Sequence, residues 1–127
     1  MKKIFFISSI LLVLALTTLS FAQTQVQSGK WGVNTSSKGY TLNENTGDRS
    51  MTIDVSFDFP FEVKPDIIIG VTMLDANTKT NIRYNVSSMS VSRDGFTIKV
   101  ATWSESKISG IGGFWIAHAK EKAESKY

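Results

Sequence analysis

The 127-residue chain has no cysteine, two prolines and one histidine. Without cysteine there is no disulfide, no thiol nucleophile and no lipidated N-terminal cysteine, so any folded domain is held by its apolar core alone. His118 by itself, with no cysteine, excludes an ordinary His/Cys zinc site within one subunit. It reads as an end-of-strand residue. No G-x-S-x-G elbow occurs. Paired carboxylates could cleave glycosides, but Asp54, Asp58 and Asp66 sit on or beside strand patterns, where a charge-out position accounts for them. No catalytic residue, metal or cofactor is expected.

Long apolar runs are also missing. The longest, Ile4 to Leu16, follows Lys2 and Lys3 and is short of the ~20 residues of a membrane-spanning helix. Small residues at Ser20 and Ala22 precede a cut ahead of Gln23, the form of a cleavable secretory signal peptide over residues 1–22. Its removal takes away Lys2 and Lys3 and no acid, leaving 12 basic and 11 acidic residues of the original 14 and 11. A balance of +1 with no basic patch argues against a nucleic-acid partner. The expected protein is secreted, or periplasmic in a bacterial source, with no membrane span after cleavage.

Helical periodicity is absent beyond the leader, and period-two alternation takes its place. Strands are predicted from Val26 to Trp31, from Arg49 to Phe57, from Ile67 to Leu74 (a nearly continuous apolar run, expected to be buried on both faces), and from Ile111 to Ala119. Between the first two lies a loop over 32–48, rich in Gly, Ser, Thr and Asn; its length suggests a functional role. Phe59-Pro60-Phe61 and Pro65 mark an irregular crossing. Residues 120–127 read as a charged, flexible tail. Six short strands with turns between them imply an all-β fold, a six-stranded antiparallel β-sandwich over 23–119.

The most informative stretch begins at Asp94-Gly95. Phe96, Ile98 and Val100 alternate with Thr97 and Lys99, and counting on in twos from Lys99 reaches Trp103. The indole then shares the solvent-facing side, where a large aromatic needs a reason. The preceding strand, Asn81 to Ser87, has Ile82, Tyr84 and Val86 on its apolar side. A three-residue loop, Arg93-Asp94-Gly95 with Gly95 left-handed, keeps both apolar sets on one face. That register sets Asn85 opposite Trp103 and Glu105 opposite Arg83. The result is an Arg-Asn-Trp cluster on a non-core face. Two readings of it stand side by side. Arg83 either offers its planar donors to a ligand or pairs with Glu105, and Trp103 either stacks on a ligand or fills a subunit interface. Asn34-Thr35-Ser36 and Asn85-Val86-Ser87 match the glycosylation sequon, which matters only in a eukaryotic secretory pathway.

Several segments in order resemble the H-type lectin domain family of snail agglutinins and slime-mould discoidins. They are Val26-Gln27-Ser28-Gly29, Gly47-Asp48-Arg49, Phe57 with Pro60-Phe61 and Pro65, Leu74-Asp75, Asn81-Ile82-Arg83, Gly95-Phe96-Thr97, Thr102-Trp103 with Lys107, and Trp115-Ile116-Ala117. The resemblance implies a homotrimer of β-sandwiches with a galactose or N-acetylgalactosamine site at each interface. It implies sugar contacts at Arg83, Trp103 and Ser104, with Asn45 and Asp48 contributed from the loop of a neighbouring protomer. Asn85 and Ser109 are further candidates. The snail proteins carry His where this chain has Ser104, and an aromatic where it has Ser109. The expected function is therefore glycan binding by a secreted lectin. The alternative is a trimeric interaction or adhesion module with a degenerate sugar site.

Overall fold

The computed structural model describes residues 24–120. The predicted leader and nearly all of the predicted tail lie outside the described residues. Six strands form: β1 (Thr24–Asn34), β2 (Arg49–Ser56), β3 (Asp66–Ala76), β4 (Tyr84–Met89), β5 (Gly95–Thr102) and β6 (Ile108–Lys120). They make two three-stranded antiparallel sheets, in the order β1-β6-β3 and β2-β5-β4. This is the all-β sandwich that the alternation implies. β1 and β6 are longer than predicted, so the first loop runs over 35–48, and Ser109 lies inside a strand.

The two sheets close on Leu42, Phe61, Ile98, Val100, Ile108 and Ile111, which are essentially inaccessible, with Trp31, Phe96 and Trp115 around them. Phe61 comes from the proline-flanked crossing. Its ring stands edge-on to Phe57 at 4.9 Å between centroids, the geometry that aromatic quadrupoles favour. Apolar side chains thus fix a segment that makes no ladder. Hydrogen bonds complete the hold: Gln27 Nε2 donates to the Phe59 carbonyl at 2.8 Å, and Arg93 Nε to the Phe61 carbonyl at 2.7 Å.

Three expectations are corrected. β3 is not buried on both faces; Ile68 is 50% exposed and Leu74 41%. A bulge between Val71 and Met73 also changes its register. Ile68 pairs with Ile116 on the outer face, but Leu74 pairs with Ile111 on the core side, and Met73 takes the outer position opposite Gly112. Number parity fails across a bulge because one extra residue reverses which face each later side chain takes.

The β4–β5 hairpin is shifted by two residues. Asn85 pairs with Ala101 and Tyr84 with Thr102, and β5 ends before Trp103. Parity, and hence the buried face, is unchanged. Gly95 is not left-handed; Ser90, at φ 53°, makes the reversal. Gly95 is needed for a different reason, since a Cβ there would overlap the Val55 carbonyl oxygen of the neighbouring strand.

Candidate functional site

The ends of three strands meet at Thr102, which pairs with Arg49 on one side and Tyr84 on the other. Two loops are stacked above this point, 41–48 and 103–107. Arg49 joins them. Its guanidinium donates to the carbonyls of Glu44, Ser106 and Ser104, each at 2.9 Å, and its Nε to Gly47 at 3.0 Å. Gly47 N–H donates to the Ser104 carbonyl at 2.9 Å, and Lys107 Nζ to the Asn45 carbonyl. Carbonyls at chain reversals point in scattered directions, and a planar cation with five donors can gather several of them at once. Asn45 and Ser104 are both left-handed, at φ 55° and 53°. Arg49, which holds the site's backbone, was not among the expected site residues. Its signal in the sequence was position: an arginine at the first residue of a strand, directly after the candidate loop.

Asp48 and Trp103, with Ser50, Lys99 and Ala101, line a shallow depression of about 230 Å3 on the β2 side of this end. Trp103 is 38% exposed. Arg83 stands on the β4 side. Its Nη1 lies 3.0 Å from both carboxylate oxygens of Glu105, and Asn81 Nδ2 donates to Glu105 Oε1 at 3.0 Å. The expected register does not make this ion pair, because both residues lie outside the ladder. Side chains from the core set it instead. Buried Ser106 accepts from Arg83 N–H at 2.9 Å and donates to the Asn81 carbonyl at 2.7 Å, while Thr102 Oγ1 donates to the Arg83 carbonyl at 2.6 Å. The Glu105 carboxyl is held down at about 2, first by a backbone N–H and then by the hydrogen bonds from Arg83 and Asn81. It is an anion at every physiological pH.

The expected Arg-Asn-Trp cluster therefore does not form as one group. Trp103 and Asp48 belong to the β2 side and Arg83 to the β4 side, with β5 between them. Two strand spacings amount to roughly 10 Å. Asn85 is exposed on β4 opposite Ala101. Ser109 is on β6, where its carbonyl accepts from Thr35 N–H at 3.2 Å, and it joins neither group. Among the described residues, no three His, Asp or Glu side chains gather as a metal site, and no helix is long and apolar enough to cross a membrane.

A two-sheet sandwich with polar loops gathered at one end defines a class of binding modules. The H-type lectin domain matches residues 52–118, more than half of the chain, and the chain belongs to that family. A lectin family supports the reading of a non-enzymatic protein. The matched segment includes Arg83, Asn85, Trp103, Ser104 and Ser109 but not Asn45 or Asp48. The chain is similar to the ATP synthase subunits region ORF 7 protein of Fuscovulum blasticum, 32% identical over 71 residues, which are 56% of this chain and 62% of that protein. It is also similar to a discoidin-1 polypeptide of Dictyostelium discoideum, 30% identical over 81 residues, 63% of this chain and 32% of that protein. The chain thus spans less than two thirds of the length of either relative. Among solved structures, discoidin II of Dictyostelium discoideum superposes with a TM-score of 0.70 over 81% of this chain and 40% of that one, at 24% identity. That likeness concerns the fold.

Proposed function

We propose that this domain is a secreted lectin that binds galactose- or N-acetylgalactosamine-type glycans at the interfaces of a homotrimer, after cleavage of residues 1–22. The observation that carries this reading is the division of the candidate residues into two half-sites. Arg83, Glu105 and Asn81 offer donors and acceptors on one side, and Asp48 with Trp103 a carboxylate and an aromatic face on the other. Neither half encloses a sugar. A neighbouring copy that brought its Asn45–Asp48 loop against Arg83 would complete a site. The outer face of the β1-β6-β3 sheet favours such association: Val26, Ile68, Met73 and Phe114 are each 39–57% exposed there, an apolar surface that calls for a cover.

A site with so few contacts binds one monosaccharide weakly, near 1 mM or about −4 kcal/mol. Three sites facing one glycan surface raise apparent affinity by ~10²–10⁴. The test is a glycan array on the purified mature protein, repeated with Arg83→Ala. Binding to galactose-type glycans that is lost in the variant, with an unchanged melting temperature, supports the lectin reading. Retained binding removes Arg83 from the site.

One observation favours the second reading, an interaction or adhesion module whose sugar site has lapsed. Nη1 of Arg83 is already committed to Glu105. In that case the array stays blank while the trimer persists.

A further inference from the structure

The sandwich is open on its other long side, between the edges of β1 and β2. A cleft of about 410 Å3 lies there, lined among others by Lys30, Trp31, Asp54, Ser56, Asp58 and Trp115. Its volume falls in the ~300–1,000 Å3 range of small-ligand sites. It opens at the Ser56 end of β2, whereas the loop site stands at the Arg49 end.

The chemistry inside it is specific. Trp115 is only 7% exposed. Its indole N–H has no hydrogen-bond partner among the described residues, yet no fully buried side-chain nitrogen or oxygen is left unpaired. The donor therefore opens into the cleft. Trp31, by contrast, spends its indole N–H on the Phe114 carbonyl at 3.1 Å. Gly29 keeps the Trp115 donor uncovered, since a Cβ at that position would lie 2.7 Å from Nε1. Acceptors face it. Asp54 Oδ1 accepts from Thr97 Oγ1 at 2.8 Å, which leaves Oδ2. The Asp58 carboxylate has no partner among the described residues; only its backbone N–H is bonded, to Gln27 Oε1 at 3.0 Å. Lys30 supplies an ammonium group beside them.

One buried donor, two carboxylates and one ammonium around indole edges suit a neutral, polyhydroxylated ring. Its hydroxyls can donate to Asp54 and Asp58 and accept from Trp115 and Lys30, while its C–H face meets the indole. An anion would meet two carboxylates, and a cation would meet Lys30. We propose that this cleft is a second saccharide site, independent of the loop site at the other end of β2.

The three tryptophans give three indole N–H signals in a ¹⁵N-labelled full chain, and each reports a different place. Galactose, N-acetylgalactosamine, glucose and mannose would each be titrated to 100 mM. The expected result is a saturable shift of the Trp115 signal with at least one sugar. It should persist in Arg83→Ala and weaken at least fivefold in Asp58→Asn, which changes an exposed side chain. Gly29→Ala should reduce it as well by displacing the indole. Three outcomes overturn the proposal: no saturable Trp115 shift with any of the four sugars; a shift lost in Arg83→Ala but untouched by Asp58→Asn; or a shift produced only by a capped heptapeptide of alternating threonine and valine, which would make the cleft a strand-docking edge. Failure of the loop site would appear separately, in the Trp103 signal.

Discussion

The outer face of the β1-β6-β3 sheet presents Val26, Ile68, Met73 and Phe114, while that of β2-β5-β4 presents Thr52, Asp54, Ser87, Thr97 and Lys99. Both sheets bury their inner faces in one core, and both have three strands. The difference therefore arises from what each outer face must meet. Hydroxyl and charged side chains on the second sheet are satisfied by water and by cross-strand partners, as Asp54 is by Thr97. The apolar side chains of the first have no such partner within the chain. An architecture that stabilises itself equally through both sheets thus divides its surface between a face suited to protein and a face suited to solvent.

The most drastic way to break this comparison is to charge the apolar face. Phe114→Glu with Ile68→Lys is expected to reduce the mass in light scattering to that of a single chain, a threefold fall from the proposed trimer. Thr52→Lys with Lys99→Glu, on the other sheet, should leave the mass unchanged. Equal behaviour of the two pairs would erase the distinction.

A second experiment asks whether the loop end depends on assembly. Arg49→Ala removes a cation from four well-placed carbonyls and is expected to cost about 2–3 kcal/mol in chemical denaturation. The loss should be the same at low and high protein concentration, because every partner lies in the same chain. A concentration-dependent loss would tie the loops to the interface.

Tyr40 gives a smaller, internal reference. Its hydroxyl donates to the Ile108 carbonyl at 2.6 Å, and burial, with the nearby Asp75 charge, pushes its pKa up to about 12. Tyr40→Phe should cost about 1 kcal/mol. A phenol whose pKa is raised on folding contributes stability that is complete below the ordinary value of 10.0 and lost as pH rises through about 12. Alkaline unfolding in that window, absent in Tyr40→Phe, is the measurement.

The smallest effect belongs to Glu105. Its pKa is lowered on folding from 4.5 to about 2, so its contribution is complete above pH 4.5 and lost as pH falls toward 2. Stability and glycan binding should not change on its account between pH 5 and 8. A midpoint in that range that disappears in Glu105→Gln would show that the Arg83 pair is not formed as described.

The strand periods, the aromatic and aliphatic core and the fold class were legible in the sequence, because a buried face imposes a period of two wherever the chain is extended. Phe96, Ile98 and Val100 were placed inward by that rule alone. The composition likewise limited the chemistry, since one histidine and no cysteine leave few metal or nucleophilic sites. The hairpin register was less determined. A shift of two residues preserves every face, so patterning could not distinguish Asn85 opposite Trp103 from Asn85 opposite Ala101. Only the tertiary structure decided that, through a left-handed Ser90 and the close approach of Gly95 to Val55. The bulge in β3 reversed the positions of Met73 and Leu74 for a similar reason: one extra residue leaves composition unchanged and alters every face beyond it. The candidate site depended most on tertiary structure. Arg49, Ser106 and Thr102 are far apart in sequence and act on backbone atoms, and a carbonyl at a chain reversal has no sequence signature until the reversal has been folded.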